Sequence, residues 1–154
     1  MEGNSPQKID DIDLQIIKLL QEDSRKSFNK IANELGIAVG TAANRIKSLE
    51  EKGILKGYTV IVDPVKLGHS LSAVILIQAE GKHLVDVEKQ VAQLGDAICV
   101  YDITGEYDAA VVARFTDRST LNSFIKNLLN SPHVKRTVTN VVLNVVKEDL
   151  RVNI

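Results

Sequence analysis

Apolar residues recur at helical spacing in the first third of the chain and predict three helices. The first apolar stripe, in the segment 12–23, consists of Ile12, Ile16, Leu19 and Leu20. Asp10 or Asp11 stands just before this stripe and is expected to cap the helix. A second stripe, in the segment 27–52, consists of Ile31, Leu35, Ala42, Ile46 and Leu49. Gly36 divides it, and glycine adopts the positive φ of a tight turn. The pattern therefore predicts a helix-turn-helix.

The second helix of this pair has a polar face opposite its apolar one. The polar face consists of Thr41, Asn44 and Ser48, with Gly40 and Lys47 alongside. Small hydrogen-bonding residues on a helix suit insertion into the DNA major groove, although a merely solvated face has the same composition. Ser27 is expected to cap the first helix of the pair. Ala38, at the start of the second, offers no capping oxygen, which leaves backbone N–H groups available to a phosphate.

A hairpin and a linker are predicted after the third helix. Ile54-Leu55 and residues 58–62 have the composition of short strands around Lys56-Gly57, an arrangement typical of the wing that flanks a helix-turn-helix. Pro64 closes the hairpin, and residues 65–70 are predicted to be a linker. The predicted DNA-binding domain therefore spans residues 1–64, and residues 1–8 are expected to be a frayed tail.

The second half of the chain, residues 71–154, alternates between strand and helix patterns. Strands are predicted at LSAVILIQAE, ICVYDIT, AAVVARF and VKRTVTNVVLNVVKE, and helices at HLVDVEKQVAQLG and TDRSTLNSFIKNLLN. This β-α-β-β-α-β order is typical of a ferredoxin-like domain with an antiparallel sheet, so the predicted fold class is α+β. Two helices cover one face of such a sheet. Residues 73–77 and 138–146 are expected to form an open apolar face, which predicts self-association.

Charge and composition refine this picture only slightly. The chain has 19 basic and 20 acidic residues, a balance that does not favour nucleic-acid binding. Residues 25–58, however, contain seven basic and three acidic residues, so phosphate attraction is available locally. The single cysteine excludes an intrachain disulfide, and the longest apolar run, residues 73–77, is too short to span a membrane. No signal peptide is evident, and a soluble cytoplasmic protein is expected.

The histidines do not predict a metal site. Three are present, His69, His83 and His133, and they fall in the linker, at a helix start and in a loop. Their spacing matches no metal-ligand motif, so they are expected to be surface residues. No cofactor is predicted, apart from the effector discussed below.

Short motifs follow one another in a specific order along nearly the whole chain. They are D-x-I-D-x-x-I-I-x-L-L at 10–20, I-A-x-x-L-G-I at 31–37, T-x-x-x-R-I-x-x-L-E-x-x-G-I-L at 41–55, G-Y-x-x-x-V-D-P at 57–64, T-G-x-Y-D at 104–108 and S-P-x-V-x-x-T-x-T at 131–139. Together they resemble the leucine-responsive/asparagine-regulator (Lrp/AsnC, or feast-famine) family of transcription factors. The resemblance implies a regulator that binds double-stranded DNA. The candidate DNA contacts are Ser27, Val39, Gly40, Thr41, Asn44, Arg45, Lys47, Ser48 and Lys56.

The same resemblance implies homodimers that pair sheet to sheet and assemble into tetramers, octamers or larger discs. It also implies a small effector, usually an amino acid, bound between dimers near the turn at 104–108. The candidate effector contacts are Asp102, Thr104, Gly105, Glu106, Tyr107, Asp108, Asn122, Thr137, Val138 and Thr139. Asp108 suits an α-ammonium group, whereas glycine N–H groups and threonine hydroxyls suit a carboxylate. Ala38 stands where members of the family often have serine. Lys126 places a cation near the effector site, where other members vary.

Alternatives remain open at three points. Arg45 is expected either to bind a phosphate or to pair internally with an acid such as Glu34 or Glu50. Residues 105–108 serve either the effector or only the geometry of a hairpin turn. At the level of function, two alternatives compete with the regulator. One is an enzyme subunit similar to siroheme decarboxylases, which the absence of histidine from the turn does not favour. The other is an architectural DNA-coating protein that binds no effector.

Overall fold

A computed structural model describes residues 9–154, so the tail predicted at residues 1–8 lies outside the described residues. The chain forms two compact units. The first contains the chain through Ile61 together with Asp149–Ile154, and the second contains Val62–Glu148. Within the described residues, no helix has the length and apolar character needed to cross a membrane.

Three helices form the first unit: α1 at Asp11–Glu22, α2 at Phe28–Leu35 and α3 at Val39–Glu51. Asp10 caps α1 in a reciprocal capping box. The Asp10 side chain accepts a hydrogen bond from the backbone N–H of Asp13, and the Asp13 side chain accepts one from the backbone N–H of Asp10. Gly36 ends α2 with φ of 65°, as the sequence predicts. The predicted helix-turn-helix is confirmed.

The core of the first unit consists of the residues that the periodicity identified. Ile16, Ile31, Ala42, Ile46 and Leu49 are all 0–1% exposed. Helices α2 and α3 are too short to be stable in isolation, so this shared apolar core holds them together.

The two wing strands predicted at Ile54-Leu55 and residues 58–62 are not formed. Residues 55–63 have no regular secondary structure, and Ile61 is 94% exposed. Gly57 has φ of 155°, far from the value that a two-residue hairpin turn requires, so the chain continues instead of reversing. The segment is anchored at Tyr58, whose hydroxyl donates to Glu50 Oε1 at 2.8 Å. Partial burial and this bond raise the pKa of Tyr58 to about 12.

The second unit has the predicted β-α-β-β-α-β order. Its elements are β1 at Leu71–Ala79, a 3₁₀ turn at Gly81–His83, α4 at Leu84–Ala92, β2 at Ala97–Asp102, β3 at Ala109–Phe115, α5 at Arg118–Leu129 and β4 at Val134–Val141. The four strands form one sheet in the order β2-β3-β1-β4, and all neighbours are antiparallel. The ferredoxin-like α+β prediction is confirmed.

One face of the sheet is covered by α4 and α5. Alternate residues of β1 and β3, including Ile75, Ile77, Val111 and Phe115, are fully buried there. The helices contribute Val87, Val91, Phe124 and Leu128 to the same core. The period-2 burial therefore assigns each strand residue to one face.

The opposite face is open, but it is smaller than predicted. Ala73, Ile75 and Ile77 belong to the helix-covered core, so only Val74 and Leu76 of that stretch face outward. Strand β4 ends at Val141 and not near residue 146, because its partner β1 begins at Leu71 and offers few further backbone groups to pair. We define the open face as the half-buried Val74, Leu76, Ala110, Val112 and Val138 with their neighbours.

Candidate DNA-binding and effector sites

Helix α3 presents two distinct faces. Ala42, Ile46 and Leu49 are buried, whereas Thr41, Asn44 and Lys47 are exposed and Ser48 is half-exposed. Val39 and Gly40 are exposed in the first turn. These candidates therefore share the outer surface of one short helix, as a base-reading face requires.

The start of α3 has no side-chain cap. Ala38 has the extended backbone of a cap residue, with φ of −67° and ψ of 145°, but no oxygen to accept a bond. By contrast, Ser27 caps α2, since its Oγ accepts from the backbone N–H of Lys30 at 3.3 Å. The Ser27 hydroxyl proton stays available to an acceptor such as a phosphate.

Arg45 forms an internal pair, but with neither of the expected acids. Its Nη1 lies 2.8 Å from Asp10 Oδ2 and 2.8 Å from Asp13 Oδ1, both at the start of α1. Glu34 instead pairs with Lys26 at 3.0 Å, and Glu50 accepts from the Tyr58 hydroxyl. Helix period does not encode which other helix the side chain of Arg45 meets.

These contacts change the charge at the site. The backbone N–H of Asp13, followed by Arg45, lowers the pKa of Asp10, and Asp13 and Asp10 raise the pKa of Arg45. Asp10 and Arg45 are therefore ionised at neutral pH, and the formal charges of one arginine and two aspartates sum to −1. We call them the α1–α3 charge cluster. DNA contact by Arg45 stays a prediction, but its guanidinium is already neutralised.

Two lysines complete the predicted DNA-binding set. Lys47 has a side chain that is 73% exposed, and its Nζ lies 3.7 Å from Glu51 Oε1. This exposed i, i+4 pair is weak enough to open in favour of a phosphate. Lys56 is exposed in the irregular segment after α3.

The candidate effector turn lies between β2 and β3. Gly105 has φ of 122°, which L side chains rarely adopt, so glycine is required there. Asp108 ties the turn to β1: its Oδ2 accepts from the backbone N–H of Ala79 at 2.8 Å, and its own N–H donates to the Ile77 carbonyl at 2.9 Å. One carboxylate oxygen of Asp108 therefore has a structural role, and the other, Oδ1, is the candidate effector ligand.

Arg136 of β4 contacts this turn, and the sequence alone did not identify it as a site residue. Its Cζ lies 5.7 Å from the centre of the Tyr107 ring, in a cation–π geometry, and its Nη1 lies 3.7 Å from Glu106 Oε1. Gln78 Nε2 adds a bond of 3.4 Å to the Glu106 carbonyl. Only the strand register, which pairs Gln78 with Arg136, reveals this contact.

The remaining effector candidates are spread over the second unit. Thr137 and Thr139 pair with Ile77 and Ile75 and share their side of the sheet, whereas Val138 pairs with Leu76 on the open face. Asp102 pairs with Ala109, and its charge adds to burial in raising the pKa of Glu88. Thr104 is exposed in the turn, and Asn122 is exposed on α5. The described contacts thus join only residues of the turn to β1 and β4, and the full effector set stays a prediction.

Two of the three histidines are not scattered. The rings of His83 and His133 are stacked, with centroids 3.6 Å apart and an interplanar angle of 18°. Glu80 lies beside them, with Oε2 3.5 Å from His133 Nδ1. Both histidines are partly exposed, as expected of surface residues, but the expectation that they are scattered is wrong for this pair, because the fold brings together two positions 50 residues apart.

Comparison with known proteins covers both units. Residues 9–56 match the family described as winged helix-turn-helix DNA-binding, and residues 72–152 match the Lrp/AsnC ligand binding domain. An HTH-type transcriptional regulator of Pyrococcus furiosus is 47% identical over 144 residues, which are 94% of this chain and 97% of that protein. The HTH-type transcriptional regulator FL11 of Pyrococcus horikoshii is 36% identical over 91% of this chain and 93% of its own.

Solved structures share the same fold. A transcriptional regulator of Neisseria meningitidis, crystallised in complex with L-Met, superposes with a TM-score of 0.87 at 23% identity. The match covers 95% of this chain and 97% of the other.

Proposed function

The chain belongs to the Lrp/AsnC family of helix-turn-helix transcriptional regulators, and we propose that it binds operator DNA as a homodimer whose assembly responds to an amino acid. The main observation that supports DNA binding is that α3 has a buried apolar face and an exposed polar face. The relatives reported above are named as transcriptional regulators, and we propose no catalytic activity. We infer a cytoplasmic location, where the protein has access to DNA.

Asn44 is the proposed base reader. An exposed amide in the middle of a recognition helix has the donor and acceptor needed to bond adenine in the major groove. Thr41 and Ser48 flank it on the same face, whereas Lys47 and Lys56 supply phosphate contacts that position the helix. Ser27 and the uncapped start of α3 offer further phosphate donors.

The open face of the sheet is the proposed dimer interface. Five apolar side chains on a four-stranded surface favour burial against a second copy, which removes them from water. A two-fold dimer presents two copies of α3, and the two together can read a pseudo-palindromic site. Tetramers and octamers would arise through contacts near the turn at 104–108.

An α-amino acid is the proposed effector. Asp108 Oδ1 suits an ammonium group, and Gly105 N–H and the hydroxyls of Thr137 and Thr139 suit a carboxylate. The Neisseria structure was solved with L-Met, which supports this ligand class. Glu106 lies in the turn and Arg136 contacts it, and these two charges are expected to bias the side-chain preference towards a polar effector.

A mobility-shift experiment tests the proposal. Full-length protein is titrated onto its own promoter and onto random duplex of equal length at physiological salt, with and without each amino acid. We expect tighter binding to the promoter, a change with at least one amino acid, and loss of the preference in Asn44→Ala. The matched control is Asn127→Ala, an exposed asparagine of α5. Equal binding to both duplexes contradicts the regulator. Equal binding in every amino acid favours a protein that ignores effectors.

A further inference from the structure

Glu80, His83 and His133 converge at the end of the sheet where β1 stops and β4 begins. Glu80 directly follows β1, His83 ends the 3₁₀ turn before α4, and His133 immediately precedes β4. One potential ligand atom from each residue lies within 4.8 Å of those from the other two. We call these residues the His–His–Glu cluster.

Backbone hydrogen bonds fix the cluster. The N–H of Glu80 donates to the His133 carbonyl at 2.9 Å, and the N–H of His83 donates to the Glu80 carbonyl at 2.7 Å. These two bonds tie the backbones of the three residues to one another. Since the side chains of Glu80, His83 and His133 are 42%, 31% and 35% exposed, solvent and solutes reach them.

We propose that the His–His–Glu cluster binds one borderline divalent transition-metal ion, of the class of Zn²⁺, Co²⁺ or Ni²⁺. Two imidazoles and a carboxylate form a donor set that these ions prefer, whereas Mg²⁺ and Ca²⁺ prefer oxygen ligands alone. Three protein ligands leave a fourth position to water, as in open tetrahedral sites.

The geometry allows closure with small movements. Ligand atoms at about 2.1 Å from a tetrahedral ion lie about 3.4 Å apart. The observed limit of 4.8 Å requires the ligand atoms to approach by about 1 Å, and the two stacked rings must also rotate out of parallel so that both nitrogen lone pairs point at one ion. The partial exposure of both rings leaves room for that rotation. Asp86 Oδ2 lies 3.8 Å from His83 Nδ1, where a small rotation would let it accept the Nδ1 proton. A carboxylate in that position would hold the ring with Nε2 towards the ion.

Metal titration of the full-length protein tests this site. Protein stripped with a chelator is titrated with Zn²⁺ in competition with a chromophoric chelator, and far-UV circular dichroism checks folding of every variant. We expect one Zn²⁺ per protomer in the wild type. His83→Gln and His133→Gln should each weaken binding by about 100-fold or more, since even outer partners of a ligand contribute 10–100-fold. The matched control, His69→Gln, removes a histidine outside the cluster and should bind as the wild type does.

A spectroscopic measurement separates a built site from unspecific binding. Co²⁺ bound at the cluster should show visible absorption that titrates to one equivalent and is absent from folded His83→Gln/His133→Gln. Failure of the wild type to bind Zn²⁺ below about 100 μM contradicts the proposal. Equal affinity in the wild type and the folded double variant also contradicts it. Neither result bears on DNA contact by α3, which lies in the first unit.

Discussion

A single charge on the open face should dissociate the proposed dimer. Leu76 lies on the central strand β1, between Ala110 of β3 and Val138 of β4, and so occupies the middle of this face. In Leu76→Glu the monomer keeps its fold, because this side chain is on the face that the helices do not cover. The dimer, in contrast, acquires two carboxylates in an apolar contact, and Arg136, a basic residue two positions from Val138 on the same face, already lies 3.7 Å from Glu106.

The magnitude follows from the two-fold symmetry. Removing a leucine from an apolar contact forfeits about 1.5–3 kcal/mol. Desolvating an unpaired carboxylate costs a further amount of several kcal/mol, which reorientation towards water partly relieves. A net cost of about 3 kcal/mol per copy gives about 6 kcal/mol for the dimer, and this corresponds to about 10⁴-fold in the dissociation constant.

Sedimentation equilibrium over a wide concentration range measures this constant. The matched control is Gln90→Glu, which adds the same charge on the exposed side of α4. We expect the control to dimerise as the wild type does, while Leu76→Glu sediments as a monomer with an unchanged circular dichroism spectrum. If Leu76→Glu dimerises within about threefold of the wild-type constant, the open face is not the interface and the dimer forms elsewhere.

Four other substitutions probe α2, α3 and α4. Ala38→Ser should stabilise the first unit against urea by about 1 kcal/mol, because it supplies the missing cap, and Ser27→Ala should cost a similar amount; no gain in Ala38→Ser would show that the start of α3 is already satisfied. Lys47→Ala should lower the slope of log K against log salt by about 0.9 per protomer on any duplex, whereas an unchanged slope would exclude a phosphate contact. Burial and then Asp102 raise the pKa of Glu88, whose Oε1 has no hydrogen-bond partner among the described residues. Since folding favours the protonated acid, ionised Glu88 destabilises the protein as pH rises above the ordinary value of 4.5. Glu88→Gln should therefore raise the melting temperature at pH 8 and lose that gain at pH 4, and an equal gain at both values would refute the assignment.

Local sequence signals predicted the elements and faces that depend on neighbours along the chain. The spacing of Ile31, Ala42 and Ile46 determines a buried helix face whatever its partner is, and the positive φ of Gly36 follows from local backbone sterics. The β-α-β-β-α-β order was predictable for the same reason, since strand and helix periods differ strongly.

The errors concern features that depend on distant partners. Composition favours strands at residues 58–62, but a strand also requires a ladder, and the described chain supplies none there. Arg45 was paired with acids close in sequence, whereas the structure pairs it with Asp10 and Asp13, more than 30 residues away. His83 and His133 meet only because β1 and β4 are neighbours in the sheet. Periodicity assigns a residue to a face but does not identify what that face meets.

The α1–α3 charge cluster has a consequence for control of transcription. Because Arg45 is neutralised by Asp10 and Asp13, Lys47 is the one basic side chain of α3 that remains for a phosphate, so one protomer has little positive charge on its reading helix. A single α3 should therefore leave DNA quickly. Linking several copies raises their effective concentration on adjacent sites, and residence time then grows with the number of linked copies. Weak single-helix binding thus makes occupancy steeply dependent on how many subunits are assembled, which is the property that an assembly-based switch requires.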